Sequence, residues 1–129
     1  MVTAKRMGAP YGVEITNGRN VLLSDTQKEG KGGNTGMRPH ELLASALAAC
    51  VCMSIDMAAQ RAGVALPEST VDVAIERLDH ETGFEVSLRF AAALTAAQQD
   101  LVRGTVQASP VARTLGKTVR VRPAVILDA

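Results

Sequence analysis

Cys50 and Cys52 are the only thiols in this chain of 129 residues, and both stand in one apolar, helix-prone run, Pro39-His40-Glu41-Leu42-Leu43-Ala44-Ser45-Ala46-Leu47-Ala48-Ala49-Cys50-Val51-Cys52. A thiol in dry, rigid surroundings is either inert packing or a tuned reagent. Two residues apart on a helix, the pair is separated by about 200° around the axis. The two side chains face away from each other and cannot close an intrahelical disulfide, so at most one faces a functional side. Cys50 lies about three turns from the helix start, beyond the reach of the macrodipole. Its activation as a thiolate would need a cation or a hydrogen-bond donor brought in by tertiary or quaternary contact.

Ser109-Pro110 has a clear local meaning, a serine N-cap followed by proline at the first helical position. It is either a cap and nothing more, or a helix start whose free N–H groups meet a thiolate or a peroxide oxygen. His40 and His80 are the only histidines. Their spacing from the cysteines matches no structural zinc pattern, and one cysteine must point away, so no metal site is expected. No Gly-x-Ser-x-Gly is present, which removes the usual serine-hydrolase signature. Taken singly, Arg19, Arg38, Arg61 and Arg113 read as solvated charges and Glu41 as a helix-start carboxylate.

The bulk properties narrow the function classes. The formal net charge is +1, with no Trp, one Tyr and two Phe. That gives neither a field to draw in nucleic acid or an anionic membrane nor a platform for base stacking. The length fits one domain, residues 1–129, able to bury a core without disulfides or metals. Two cysteines one residue apart make no secreted disulfide framework, and Met1 to Gly12 has no apolar core of signal-peptide length. A reducing, cytoplasmic setting is expected. Leu42 to Ala59 is long enough to raise a membrane-spanning reading. Ser45, Ser54 and Asp56 interrupt it, and its many alanines are weakly lipophilic, so a buried helix of a globular fold or dimer is the simpler reading.

The positioning elements follow from pattern. Val13–Ile15 and Val21–Leu23 read as strands around an Asn17-Gly18-Arg19-Asn20 turn. Asp25 to Gly36 reads as a flexible polar loop, whose glycines match no phosphate-binding fingerprint. A helix is expected from Pro39 to Ala62, with Gly63 as its stop and a length of about 35 Å. Thr70–Leu78 and Phe84–Phe90 alternate as strands of a hairpin turning at Asp79–Gly83. Thr95 with Gln98 forms a capping box opening a helix over 96–108, and a shorter helix follows from Pro110 to Leu115. Val119–Leu127 reads as a final strand, with Pro123 favouring an edge or bulge. Grouped rather than alternating elements argue an α+β fold.

Together these residues resemble the OsmC/Ohr family of osmotically inducible and organic-hydroperoxide-resistance proteins. The resemblance rests on Asp25, the loop Gly32-Gly33-Asn34-Thr35-Gly36, Pro39-His40-Glu41-Leu42-Leu43, Ala46-Leu47-Ala48-Ala49-Cys50 and, far downstream, Ser109-Pro110-Val111-Ala112-Arg113-Thr114-Leu115. It implies β-hairpins packed around a long buried central helix, in an intertwined homodimer with active sites at the subunit interface. It further implies reduction of small organic hydroperoxides at the expense of an external thiol reductant, with no cofactor. By resemblance, Cys50 falls on the peroxidatic position and Ser109 on that of the resolving cysteine. Serine cannot form a disulfide, so the usual cycle cannot close; Cys52 of a partner chain is a remote substitute. In the Ohr branch an arginine and a glutamate hold the thiolate. Arg19 and Arg38 are rivals for the first role; Glu41 is the carboxylate for the second, displaced by one residue because His40 directly follows the proline. The alternative implied by Ser109 and the displaced Glu41 is a catalytically impaired dimer that binds a small apolar ligand at the same interface.

Overall fold

The computed structural model describes residues 1–127. In chain order the elements are β1 (Thr3–Arg6), β2 (Val13–Thr16), β3 (Val21–Ser24), β4 (Gln27–Lys28), β5 (Lys31–Gly32), α1 (Pro39–Ala62), β6 (Ser69–Arg77), β7 (Thr82–Phe90), α2 (Ala96–Val102), α3 (Thr105–Ala108) and α4 (Pro110–Leu115). The grouping is α+β, as the sequence pattern requires. Two compact units are formed, one by Met1–Ala46 with Val73–Glu85, the other by Leu47–Asp72 with the chain from Val86 onward. Helix α1 and the β6–β7 pair each run through both.

In the first unit β1, β2 and β3 form an antiparallel sheet in that order. The β2–β3 turn closes where the sequence places it. Asn17 Oδ1 accepts from the amides of Arg19 (3.0 Å) and Asn20 (2.8 Å), and Gly18 takes a φ of 95°. Strand β1 was not expected. Thr-Ala-Lys-Arg has no apolar alternation, and all four residues are exposed, so only pairing with β2 defines it.

The polar segment after β3 is pinned rather than flexible. Asp25 is 5% exposed, and its carboxylate accepts four hydrogen bonds. Oδ1 receives the amides of Thr26 (2.8 Å) and Gly33 (3.3 Å), and Oδ2 receives the Thr35 hydroxyl (2.8 Å) and amide (3.2 Å). The buried Ser24 hydroxyl donates to the Met37 carbonyl at 2.7 Å, which also accepts from the Asp25 amide at 3.2 Å. Within this clamp β4 and β5 pair across Glu29-Gly30, both left-handed at φ 54° and 76°, the geometry of a two-residue hairpin turn. Gly36 lies against the Leu23 carbonyl so closely that a Cβ would collide with it.

The clamp hands the chain to α1. Pro39 opens the helix, and Glu41 Oε1 reaches back to accept from the Arg38 amide at 3.0 Å, one half of a capping box. The helix ends where the sequence predicts. Gly63 is left-handed at φ 65°, its amide donates to the Gln60 carbonyl, and the Val64 amide donates to that of Ala59, the paired bonds of a Schellman stop. Leu47, Val51, Ile55 and Ala59, spaced four apart, are buried. The helix is buried along that stripe alone. Leu43, Met53 and Met57 remain 40%, 58% and 47% exposed, because one chain supplies enough apolar surface to cover only a single stripe. By length and composition α1 would also suffice to cross a membrane; in this fold its buried stripe is core.

Strands β6 and β7 pair as a two-stranded sheet, closed by the Leu78 amide donating to the Glu81 carbonyl at 2.8 Å. In the second unit the Thr95–Gln98 capping box is present, with bonds of 3.1 and 2.8 Å. The single helix expected over 96–108 is two, because Gly104 is left-handed at φ 77° and breaks the ladder between α2 and α3. The strand expected over Val119–Leu127 is absent. That stretch has no partner strand within the described residues, and Val119, Val121, Val125, Ile126 and Leu127 are 65–96% exposed. Extended backbone becomes a strand only when another strand takes up its N–H and C=O groups.

Two stability outcomes follow from the clamp. Gly36→Ala should destabilise the protein by about 3 kcal/mol, read as a lower urea midpoint at unchanged slope, because the colliding atom is backbone and cannot rotate away. For Asp25, the Thr35 hydroxyl bond first, then the Thr35, Thr26 and Gly33 amides, hold the carboxyl below its ordinary value despite burial. The folded value lies below the unfolded one, so this contribution is present above about pH 4 and is lost as pH falls through the folded value. Asp25→Asn should lower the urea midpoint at pH 7 and make it fall less steeply between neutral pH and pH 3.

Candidate active site

Cys50 is half-buried in α1, and its Sγ accepts a hydrogen bond from the Val111 amide at 3.5 Å, sixty-one residues away in sequence. Local rules explain why that amide is free. Ser109 is extended (φ −64°, ψ 142°), 1% exposed, and its Oγ accepts from the Ala112 amide at 3.3 Å, so it is the N-cap of α4. Pro110 has no N–H, and the Arg113 amide is taken by the Ser109 carbonyl at 3.0 Å. Val111 is left as the donor without an intrahelical acceptor, and the thiol occupies it. Neutral sulfur is a weak acceptor; a bond to a thiolate is charge-assisted and stronger. Ser109 is thus a helix cap, and the next free amide, that of Val111, meets the Cys50 sulfur.

Cys52 faces elsewhere. Its Sγ lies 4.0 Å from the Ser69 hydroxyl on β6, and it lines a cavity of about 530 Å³ with Ile55, Ala59, Val64, Leu66 and Pro67 among the walls. Both cysteines are free thiols.

The remaining candidate residues sit in the first unit. Arg19 is exposed in the β2–β3 turn, and its amide donates to Asn17. Arg38 is exposed immediately before α1, and its amide is the group that engages the Glu41 carboxylate. Among the described residues neither guanidinium forms an ion pair; the pairs present are Arg89–Asp72 and His80–Glu81. His40 lies with its Nε2 3.3 Å from an Arg77 guanidinium nitrogen. Among the described residues no three metal-ligating side chains cluster.

The sequence reading missed a recess of about 280 Å³ in the second unit, lined by Ser54, Met57, Ala58 and Arg61 of α1 and by Thr105, Ala108, Pro110 and Arg113. It begins one helical turn beyond Cys50. Its signal was present in the spacing, since Cys50, Ser54, Met57 and Arg61 recur at helical intervals on one face. Arg61 and Arg113, both exposed, line it together with the apolar Met57, Ala58, Ala108 and Pro110.

A family model described as OsmC-like protein matches residues 30–123, a span that holds both the Cys50 helix and the Ser109–Leu115 segment. The chain belongs to the OsmC-like family. An OsmC-like protein of Mycoplasma pneumoniae superposes with a TM-score of 0.69 at 13% identity, covering 90% of this chain and 86% of that one. A protein of Psychrobacter arcticus assigned to the osmotic stress induced and detoxification response gives 0.72 at 19% identity, over 88% and 85%. An organic hydroperoxide resistance protein of Elizabethkingia anophelis gives 0.61 at 25% identity, over 88% and 84%. No curated protein sequence matches the chain significantly. The OsmC-like fold is thereby established, with α1 as its core helix.

Ser109→Ala should cost about 1 kcal/mol in urea unfolding, because it removes an N-cap acceptor from a buried site.

Proposed function

We propose that this OsmC-like protein reduces small organic hydroperoxides with Cys50 as the nucleophile. The observation that carries the reading is the bond from the Val111 amide to Cys50 Sγ, which gives the thiol of the family motif a donor that strengthens as negative charge develops on sulfur. The likeness to hydroperoxide resistance proteins supports the substrate class. The small recess one helical turn from Cys50, lined in part by Met57, Ala58, Ala108 and Pro110, suits a short organic chain carrying a hydroperoxide.

In this reading the Cys50 thiolate attacks the terminal peroxide oxygen. An S–O bond forms, the O–O bond breaks, and the alkoxide takes a proton and leaves as an alcohol. Cys50 is left as a sulfenic acid. With serine at position 109, an external thiol condenses with it, releasing water and giving a mixed disulfide that a second thiol reduces. Arg19 or Arg38, supplied by another part of the assembly, stabilises the thiolate, with Glu41 as the orienting carboxylate. The assembly is a homodimer. Its support is the uncovered apolar surface of the single chain: the Leu43, Met53 and Met57 face of α1 and the exposed valines, isoleucine and leucine of 119–127. A thiol enzyme of this kind needs a reducing compartment, the cytoplasm. The reading of the chain as one OsmC-like domain belongs to the same proposal.

Reduced protein mixed with cumene hydroperoxide and a dithiol should consume the peroxide catalytically. Cys50→Ser should abolish turnover, and Cys52→Ser should retain it within about threefold. A sulfenic acid should be trapped at Cys50 by a dione reagent. Absence of any Cys50 modification at a modest peroxide excess would overturn the proposal in favour of a dimer that binds an apolar ligand. Sedimentation equilibrium should give twice the chain mass.

A further inference from the structure

A sulfenic acid needs a partner, and the nearest one in this fold is not a thiol. Position 109 is serine, Cys52 points to Ser69 on the other side of α1, and the group in contact with Cys50 Sγ is the Val111 amide nitrogen at 3.5 Å. Sulfenic acids condense either with thiols or with backbone nitrogen, the latter giving a sulfenamide. Three features of Val111 favour that second course. Its N–H has no intrahelical acceptor, so losing the proton breaks no backbone bond of α4. Its N–H already points at sulfur. Lastly, α4 is a helix of six residues that ends at Gly116 and buries none of them, so beyond its Ser109 cap it is the lighter partner to shift when the gap closes to bonding distance.

We infer that, when no external thiol is at hand, the Cys50 sulfenic acid condenses with the Val111 backbone nitrogen to form a sulfenamide that links α1 to α4. The S–O bond breaks, an S–N bond forms, and the hydroxyl leaves with the amide proton as water. Sulfur keeps the oxidation level that the hydroperoxide gave it. A thiol later attacks sulfur, the S–N bond breaks, the proton returns to nitrogen, and the resulting mixed disulfide is reduced by a second thiol. The link protects Cys50 from further oxidation to the irreversible sulfinic level. The inference rests on the proposed oxidation of Cys50 by hydroperoxides.

The full chain, reduced and then freed of thiol, is treated with one equivalent of cumene hydroperoxide. Intact mass should settle at two hydrogen atoms below the reduced protein. A non-reducing tryptic digest should join the peptide 32–61 to the peptide 104–113, with fragmentation placing the link between Cys50 and Val111. Dithiothreitol should restore the starting mass. Cys52→Ala should behave identically, and Val111→Pro, tolerated in a first helical turn, should instead hold a dione-reactive sulfenic acid at least tenfold longer. If Cys50 forms a trappable sulfenic acid that persists in the wild type, or pairs with Cys52 of another copy, the inference fails while the proposed activity stands. If Cys50 is not oxidised at all, both fail.

Discussion

Covering a helix that is apolar on nearly every side is the constraint from which the rest of this structure follows. Helix α1 carries twenty-four residues, yet only the stripe Leu47, Val51, Ile55 and Ala59 is buried within the chain. A four-residue spacing drifts about 40° per step around a 3.6-residue helix, so the stripe winds and each neighbour meets a different stretch of it. What remains uncovered, with Met53 and Met57 at its centre, flanks the thiol. The apolar surface that the single chain leaves uncovered is thus the surface beside Cys50.

Much of this was legible in the residues themselves. Pro39, Glu41 and Gly63 are punctuation with fixed stereochemical meaning, so the helix bounds could be read directly. The same holds for the Asn17-Gly18 turn, the Thr95–Gln98 box and the Ser109 cap, each of which is settled within four residues. Errors arose where the deciding partner is distant. Strand β1 exists because β2 pairs with it, and 119–127 is no strand because nothing within the described chain does. The Asp25 clamp has the sequence of a loose loop, since its bonds run to Thr35, Gly33 and Met37, and glycine-rich polar sequence carries no sign of whether a carboxylate will gather it. Gly104 was absorbed into a helix because an isolated glycine in a good helical pattern is ordinarily tolerated.

The candidate site divides in the same way. Cys50 and Ser109 were recognisable from a motif, but the contact that relates them passes through Val111, a residue with no chemical side chain. No pattern in side-chain types points to a backbone amide. It emerges only after the cap is counted: proline removes one donor, serine's side chain and carbonyl occupy two more, and one is left over. Arg61 and Arg113 are exposed, as a reading as surface charges requires, yet they also line the recess beyond Cys50, which their residue types alone do not announce.

Gly63 carries a consequence beyond ending a helix. Because its backbone is left-handed, the chain reverses within two residues and sends Val64 to Ser69 back along α1, forming the far wall of the cavity beside Cys52. One wall of the volume next to the second thiol thus follows from the handedness of one residue that lacks a side chain. The two faces of α1 therefore meet different parts of the chain: the Cys50 face meets the capped start of α4, and the Cys52 face meets the segment that Gly63 turns back.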